Sequence, residues 1–209
     1  VEAAITPWTT AILGVHVYGY PCRLEALAEI AARHNLKLIY DAAHAFGVRV
    51  DTKSIALYGD LSMFSFHATK LYHSLEGGAL VFGEAALKGV FDLLKNFGFK
   101  NELEVVMPGT NAKMNEMQSL MGSLMLKYLD GSIARRAAIS DLYRQLLGNL
   151  GGIRLAPPLP ARVKYNYAYM PIEVEEREFG MSRDSLYEQL KQYNVHTRRY
   201  FYPLVCDYA

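Results

Sequence analysis

The sequence lacks the features that mark several large classes of protein. Its two cysteines, Cys22 and Cys206, lie far apart without metal-binding or redox spacing, which favours free thiols in a reducing compartment over a disulfide. Lysine and arginine number 22 against 21 acidic residues, so neither a nucleic-acid surface nor a basic membrane anchor is predicted. No apolar run approaches the ~20 residues that a membrane span needs, and residues 1–10 do not resemble a signal peptide. These absences favour a cytoplasmic protein that binds neither nucleic acid nor a membrane.

The chain does have an ordinary globular composition and enough length for a hydrophobic core. Hydrophobic residues make up 51% of its 209 residues and charged residues 21%, as in soluble globular proteins. This length allows one large domain or two modest ones. The sequence starts without methionine and stops abruptly, so we expect a fragment of a longer protein that lacks both ends.

Hydrophobic periodicity predicts alternating strands and helices in the first half of the chain. Apolar runs over residues 10–18, 36–40, 60–66 and 78–82 are typical of strands, and apolar positions at helical spacing predict helices over 22–34 and 84–96. A strand, a helix and a second strand in succession form a βαβ unit, in which the strands are parallel. The pattern therefore predicts an α/β fold with a mostly parallel central sheet and helices on both of its faces.

The sequence pattern of the second half of the chain predicts a different organisation, with longer helices and fewer strands. Residues 98–109 are expected to form a loop, and helical spacing then extends from 115 to 150 with one break near Asp130-Gly131. Beyond a proline-rich turn, the pattern predicts a strand over 165–174, a helix over 182–193 capped by Ser182, and the start of a strand at 195–197. We therefore predict a large domain over residues 1–124, and a linker helix with a small α+β domain over 125–209.

An acidic and a basic side chain follow two of the predicted strands. Asp41 ends the run at 36–40, and Lys70 follows the run at 60–66 after a short polar turn. Ligands bind beyond the carboxyl ends of strands in open α/β sheets. An acid and an amine at such an edge suit pyridoxal phosphate, which needs a lysine for a Schiff base and a carboxylate for its ring nitrogen, while Ser65 offers a hydroxyl for its phosphate. The plainer alternatives are an aspartate that caps a turn and an ordinary surface lysine.

Five segments carry a series of motifs that is far more specific than either residue alone. They are DAAHAFG at 41–47, SFHATK at 65–70, EGGA at 76–79, GTNAKMNEMQ at 109–118 and TRRYFYPL at 197–204. In this order they resemble the DegT/DnrJ/EryC1/StrS family of sugar-nucleotide aminotransferases. The resemblance covers nearly the whole chain and implies the type I fold of pyridoxal phosphate-dependent transferases, with part of each domain missing.

The resemblance implies a role for five residues around the cofactor. Asp41 would pair with the pyridinium nitrogen, and His44 would lie against the ring or its 3-hydroxyl, where the family more often has glutamine. Ser65 would bind the phosphate. Lys70 would form the internal aldimine and later move a proton between cofactor and substrate. Asn111 would reach across a homodimer interface to the phosphate of the partner's cofactor.

Other positions bear on the substrate, and some depart from the family pattern. Arg199 and Tyr200 lie where family members approach the substrate. Lys113 stands where many relatives have arginine and Tyr167 where histidine is frequent, which bears on substrate choice more than on reaction type. The family also supplies, before the position where this chain starts, a phosphate-cradling loop and an aromatic ring that stacks on the cofactor. The chain is thus expected to encode only part of an active site.

The resemblance implies transamination of a nucleotide-linked ketosugar, with a dTDP-4-keto-6-deoxyhexose as the expected substrate and glutamate as the expected amino donor. Two alternatives stay open. One is an inactive truncated product that folds as a structural or dimerising module. The other is a sugar dehydratase, a class of relatives that replaces the lysine with histidine, and Lys70 argues against it. No metal site is expected.

Overall fold

The computed structural model describes residues 1–208, and these divide into two units. The first comprises residues 1–137 and 159–169, and the second comprises 138–158 with 170–208. The chain therefore leaves the first unit, returns to it for eleven residues and leaves it again. The domain boundary predicted at residue 124 stays a prediction.

A four-stranded sheet forms the centre of the first unit. Strand β1 (Ala11–Val15) is followed by helix α1 (Leu24–Arg33), strand β2 (Lys37–Asp41), two short strands β3 (Arg49–Val50) and β4 (Lys53–Ser54), and strands β5 (Leu61–Ser65) and β6 (Gly78–Phe82). The sheet order is β1-β2-β5-β6. Strands β1, β2 and β5 are parallel, whereas β6 runs antiparallel to β5. The predicted mostly parallel α/β sheet is confirmed.

The two faces of this sheet differ in their environment. Leu38, Tyr40 and Phe64 are buried in the main hydrophobic core on one face. The alternate positions of the strands lie on the other face, which the described residues cover less. Four large apolar side chains there are 65%, 45%, 39% and 44% exposed, namely Leu13, Val15, Met63 and Leu80. One face of the sheet is therefore buried more fully than the other within the described chain.

Short elements and helices complete the first unit. Helix α2 (Leu87–Leu94) precedes a hairpin of β7 (Phe99–Asn101) and β8 (Glu104–Val105), which lies where a loop was predicted. Helices α3 (Glu116–Leu126) and α4 (Leu129–Leu147) follow, and α4 continues into the second unit from residue 138. Residues 127–128 separate the two helices, so the predicted break near Asp130-Gly131 comes slightly earlier in the structure. Strand β10 (Val163–Lys164) pairs with β3.

The described part of the second unit contains the end of α4, one small sheet and two further α-helices. Strand β9 (Ile153–Leu155) pairs antiparallel with β11 (Ile172–Val174), and helices α5 (Glu176–Phe179) and α6 (Arg183–Gln192) follow. The hydroxyl of Ser182 accepts a hydrogen bond from the Ser185 amide at 3.1 Å, so the predicted cap of α6 is present. Residues 195–197 form no strand, and the strand predicted over 165–174 is reduced to β11. None of the helices in residues 1–208 combines the length and apolarity that crossing a bilayer requires.

Local chemistry explains where several helices begin and end. Helix α1 ends before Asn35, which has a positive φ of 52°; asparagine tolerates this left-handed conformation better than most residues. Helix α3 begins with a capping box in which the side chains of Asn115 and Gln118 each accept a hydrogen bond from the other's backbone amide. The sequence thus specifies these boundaries through its capping residues.

Candidate active site

Asp41 and Ser65 lie at the carboxyl ends of neighbouring parallel strands. In the sheet register Asp41 of β2 is directly opposite Met63 of β5, and Ser65 follows two residues later. Directly paired residues and residues two apart on a strand share one face, so Asp41 and Ser65 point to the same side of the sheet. Strand spacing and rise place their Cα atoms about 8 Å apart. The fold therefore sets an acid and a hydroxyl side by side at one edge.

The carboxylate of Asp41 is partly engaged by its own turn. Its Oδ1 accepts a hydrogen bond from the amide of Ala43 at 2.9 Å, which is the turn-capping contact that the plainer alternative predicts. Within residues 1–208, Oδ2 makes no hydrogen bond, and the side chain is half-buried. One carboxylate oxygen thus remains available to a ligand.

The imidazole of His44 is held in one orientation by the backbone of a distant turn. Its Nδ1 accepts a hydrogen bond from the amide of Tyr18 at 3.0 Å, so the proton of the neutral ring lies on Nε2. The ring of Tyr169 packs against it with centroids 4.5 Å apart. Burial lowers the pKa of His44, and the positive charge of Lys70 lowers it further, whereas the Asp41 carboxylate raises it. His44 is therefore a neutral Nε2–H donor at neutral pH.

Lys70 projects from a tight turn after β5. Its backbone amide donates to the carbonyl of His67 at 2.9 Å, and the side chain is half-buried. Its ammonium forms no ion pair with any described residue. The charges of both Lys70 and Asp41 act on the pKa of His44. Asp41 ends β2 and Lys70 follows the neighbouring parallel strand β5, so both residues lie at or beyond the same edge of the sheet.

The loop between β5 and β6 is fixed by contacts within itself. The amide of Phe66 donates to the carbonyl of Gly77 at 2.8 Å, and the amide of Ser74 donates to the carbonyl of Phe66 at 3.0 Å. Gly77 has a φ of 151°, and a Cβ there would lie 2.6 Å from the hydroxyl oxygen of Ser74. This closed loop carries Lys70 on a defined backbone, which suits a residue that must meet a ligand in one position.

Asn111, Arg199 and Tyr200 are the remaining predicted site residues. Asn111 is exposed and forms an isolated bridge with Asn96, and no hydrogen bond joins it to Asp41, His44 or Lys70 in the described chain. Arg199 and Tyr200 belong to the second unit.

Arg199 lies among aromatic rings of the second unit. Its guanidinium lies 4.8 Å from the ring centroid of Tyr187 and 4.3 Å from that of Tyr202. It also forms an ion pair with Asp184 at 3.6 Å. Aromatic faces and a carboxylate together stabilise the charge of this arginine.

Sequence reasoning missed the residues that hold His44. The strand predicted over residues 165–174 includes three of them, Tyr165, Asn166 and Tyr169. The fourth, Tyr18, is the last residue of the strand predicted over residues 10–18. Asn166 is almost fully buried, which is unusual for an asparagine. A polar residue between aromatic ones at 165–169 is the signal that could have marked this segment as irregular backbone with a specific role.

The donor set fits pyridoxal phosphate. The cluster offers an acid with a free oxygen, a lysine without an ion-pair partner, a neutral imidazole that donates from Nε2 and a hydroxyl at the sheet edge. These are the groups needed for a ring nitrogen, an aldehyde carbon, a phenolic oxygen and a phosphate. The chemistry of these groups is compatible with that cofactor.

Comparison with known proteins gives a consistent result. The model of the DegT/DnrJ/EryC1/StrS aminotransferase family matches residues 1–208. The chain is 45% identical over 208 residues to a dTDP-4-amino-4,6-dideoxy-D-glucose transaminase of Shigella dysenteriae, a match over 100% of this chain and 56% of the relative. It is 44% identical over 210 residues to the protein of the same name in Escherichia coli, covering 99% of this chain and 56% of the relative.

Solved structures share this fold. The crystal structure of DesI in the presence of its TDP-sugar product superposes with a TM-score of 0.89 at 40% identity, covering 97% of this chain and 52% of that protein. The chain therefore spans about half the length of the relatives that it matches. On the match over residues 1–208 and these identities, the chain belongs to the DegT/DnrJ/EryC1/StrS aminotransferase family.

Proposed function

We propose that this chain carries the lysine-bearing part of a pyridoxal phosphate-dependent aminotransferase site that acts on a nucleotide-linked ketosugar. The expected substrate is a dTDP-4-keto-6-deoxyhexose and the expected amino donor is glutamate. Relatives at 45% and 44% identity are dTDP-aminosugar transaminases, and the neighbour of known structure was solved with a TDP-sugar product. These likenesses support the substrate class. A cytoplasmic location remains a prediction from the sequence.

One observation carries the proposal. Asp41 and Ser65 lie on one face at the carboxyl ends of the neighbouring parallel strands β2 and β5, and the closed loop that follows β5 carries Lys70. Ligands bind beyond the carboxyl ends of strands in open α/β sheets. This placement supports an acid, a hydroxyl and an amine that serve one small ligand.

Each residue of the cluster has a definite task in this proposal. Pyridoxal phosphate, when bound, supplies an electron sink for the carbon that gains or loses the amine. Lys70 Nζ would hold the cofactor and would move a proton at the reacting carbon. The Asp41 oxygen that makes no hydrogen bond within residues 1–208 would keep the ring nitrogen protonated, because a nearby negative charge raises the pKa of a base. His44 would donate from Nε2 to the phenolic oxygen, and Ser65 would donate its hydroxyl to the phosphate.

Asn111 and the second unit complete the proposal. Asn111 is exposed on a single chain, as expected for a residue that reaches a second copy across a homodimer interface. Arg199 and Tyr200 are proposed to approach the substrate. These assignments rest on the family resemblance at their positions.

Covalent capture of the cofactor tests the proposal. The purified chain is incubated with pyridoxal phosphate, reduced with borohydride, digested and examined by mass spectrometry. We expect the adduct on the peptide that contains Lys70. The variant Lys70→Ala should lose it, and Lys37→Ala, which removes an exposed lysine of the same unit, should retain it. An adduct spread over many lysines, or one that survives in Lys70→Ala, would contradict the assignment.

A structural role without turnover is the second candidate. Four exposed apolar side chains share a face of the sheet with Asp41, namely Leu13, Val15, Met63 and Leu80. An exposed apolar patch of this kind is typical of a surface that packs against further protein. Specific capture at Lys70 without conversion of ketosugar in the presence of glutamate would favour this candidate. Capture with conversion would exclude it.

A further inference from the structure

The segment 165–169 returns to the first unit from far along the chain and contacts the loop that carries His44. Asn166 is 1% exposed and uses its whole amide group. Its Nδ2 donates to the carbonyls of His44 and Phe46, both at 2.9 Å, and its Oδ1 accepts from the amide of Ala168 at 3.1 Å. A buried side chain with every polar atom paired is a strong determinant of local geometry.

Tyr165, the neighbour of Asn166, reaches the other element that contacts the imidazole. Its hydroxyl donates to the carbonyl of Tyr18 at 2.7 Å. Tyr18 has a positive φ of 57°, an uncommon conformation for a bulky residue, and the amide of Tyr18 is the donor to Nδ1 of His44. The hydroxyl of Tyr165 thus holds the carbonyl of Tyr18, and the amide on the other side of the Tyr18 Cα sets the tautomer of His44.

The packing around this arrangement leaves little freedom. Gly19 follows Tyr18 with a φ of 86°, and a Cβ at Gly19 would lie 2.8 Å from the carbonyl oxygen of His44 and 2.9 Å from Oδ1 of Asn166. The ring of Tyr169 packs on His44 with centroids 4.5 Å apart. The segment 165–169 therefore restrains His44 in three ways. Asn166 holds its backbone carbonyl, Tyr169 packs against its ring, and Tyr165 holds the carbonyl of Tyr18, the residue whose amide donates to Nδ1.

We infer that Asn166 and Tyr165 are positioning residues that fix the orientation and tautomer of His44, so that its Nε2–H points to the candidate cofactor site. The inference rests on the proposed function for the meaning of that orientation, but its geometry concerns this chain alone. Neither residue needs to touch cofactor or substrate. Asn166 acts through the carbonyls of His44 and Phe46, and Tyr165 acts through the carbonyl of Tyr18, which restrains the backbone of the residue whose amide donates to His44.

The test is the tautomer of His44 without cofactor, read by long-range ¹H–¹⁵N correlation in the histidine-labelled chain. The parent chain should show His44 protonated on Nε2 only. In Tyr165→Phe the ratio of the two neutral tautomers should move at least about fivefold towards an even mixture, which is the equilibrium effect of one ordinary hydrogen bond. Asn166→Asp, which cannot donate to the two carbonyls, should move it further in the same direction.

Two matched variants control for general effects of the substitutions. Tyr58→Phe removes another tyrosine hydroxyl that donates to a carbonyl, that of Val50 at 3.4 Å, and Asn101→Asp removes an exposed amide donor. Neither should change the His44 signals. An unchanged tautomer ratio in Tyr165→Phe would overturn the inference, even if Asn166→Asp fails to fold.

A second readout separates this inference from the proposed function. Capture of pyridoxal phosphate at Lys70 is measured for the parent chain and for Tyr165→Phe. Specific capture in the parent with a shifted tautomer and slower capture in the variant supports both claims. A shifted tautomer without any specific capture in the parent would contradict the proposed function and leave the positioning role standing. Specific capture at Lys70 in the parent, with an unshifted tautomer in Tyr165→Phe, would support the proposed function and contradict the positioning role.

Discussion

The imidazole of His16 stacks on the phenol ring of Tyr40, with ring centroids 4.5 Å apart, and both side chains are fully buried. Nδ1 of His16 accepts a hydrogen bond from the amide of Cys22 at 3.1 Å, while its Nε2 and the hydroxyl of Tyr40 have no partner within the described residues. Tyr40 directly precedes Asp41 on β2, and His16 directly follows the last residue of β1. Because this pair places a titratable imidazole in the core, we expect pH to act on stability here.

Acidification should destabilise the chain through His16. Burial lowers the pKa of His16 to about 4, and the charge of Asp41 offsets only part of this effect. Between pH 6.5 and 4 the unfolded state binds a proton that the folded state does not, so stability is lost as the pH falls through this window. The free energy of unfolding should drop by about 2 kcal/mol from pH 7 to pH 5 on this account.

Urea denaturation at the two pH values measures this effect. His16→Gln should remove most of the difference between them, whereas His196→Gln, at an exposed position of the second unit, should leave it unchanged. If the His16→Gln chain loses as much stability at pH 5 as the parent, His16 is not the group responsible.

Removing either of two tyrosine hydroxyls in the first unit should change the free energy of unfolding in different ways. The Tyr40 hydroxyl is buried without a partner, so Tyr40→Phe should leave the free energy of unfolding unchanged or raise it by up to about 1 kcal/mol. The Tyr165 hydroxyl donates at 2.7 Å, so Tyr165→Phe should lower it by about 1 kcal/mol. Equal losses in both variants, measured by denaturant unfolding, would show that the Tyr40 hydroxyl does have a partner in the folded chain.

Two glycines should also differ in their tolerance of alanine. Gly59 has a φ of 72°, and a Cβ there would lie 2.7 Å from the Leu38 carbonyl oxygen, so Gly59→Ala should cost about 2 kcal/mol of stability. Gly131 lies inside α4 with open space around it, so Gly131→Ala should stabilise the chain by about 0.5–1 kcal/mol. Thermal unfolding of both variants checks the signs, and a stabilised Gly59→Ala chain would contradict the backbone geometry described here.

Ser65 should contribute to cofactor affinity rather than to the fold. Within residues 1–208 its hydroxyl accepts a single long contact of 3.4 Å, from the His67 amide, so Ser65→Ala should leave the free energy of unfolding nearly unchanged. A hydrogen bond to a charged group is worth about 2 kcal/mol, so the dissociation constant for pyridoxal phosphate should rise roughly thirtyfold. Ser123→Ala, on the exposed side of α3, is the control for titration by absorbance. An unchanged affinity in Ser65→Ala would remove Ser65 from the site.

The sequence predicted the central sheet well because its strands carry short, strongly apolar runs between clear helix and turn signals. The same runs placed Asp41, Ser65 and Lys70 near one edge, since parallel strands end together. The antiparallel course of β6 was not predicted, because strand direction depends on how the loop at 65–77 closes rather than on the strand's own residues.

The segment 165–169 could not be predicted as part of the site. Its alternating pattern resembles a strand, yet Tyr167 has a positive φ of 51° and Asn166 is bonded to carbonyls about 120 residues away in the chain. Local periodicity carries no information about such distant partners. The break between α3 and α4 was misplaced for a related reason, because Gly131 is tolerated inside α4 where helix propensity alone favours a break.

The most direct test of the central claim is the protonation state of the ring nitrogen of ¹⁵N-labelled pyridoxal phosphate bound to this chain, read by ¹⁵N NMR. If Asp41 and Lys70 serve one cofactor, the parent chain should bind it with a protonated ring nitrogen, Asp41→Asn should bind it with an unprotonated one, and Lys70→Ala should not hold it covalently. A ring nitrogen in the same state in the parent and in Asp41→Asn, with covalent binding at Lys70 intact in both, would show that the acid and the amine do not share the ligand.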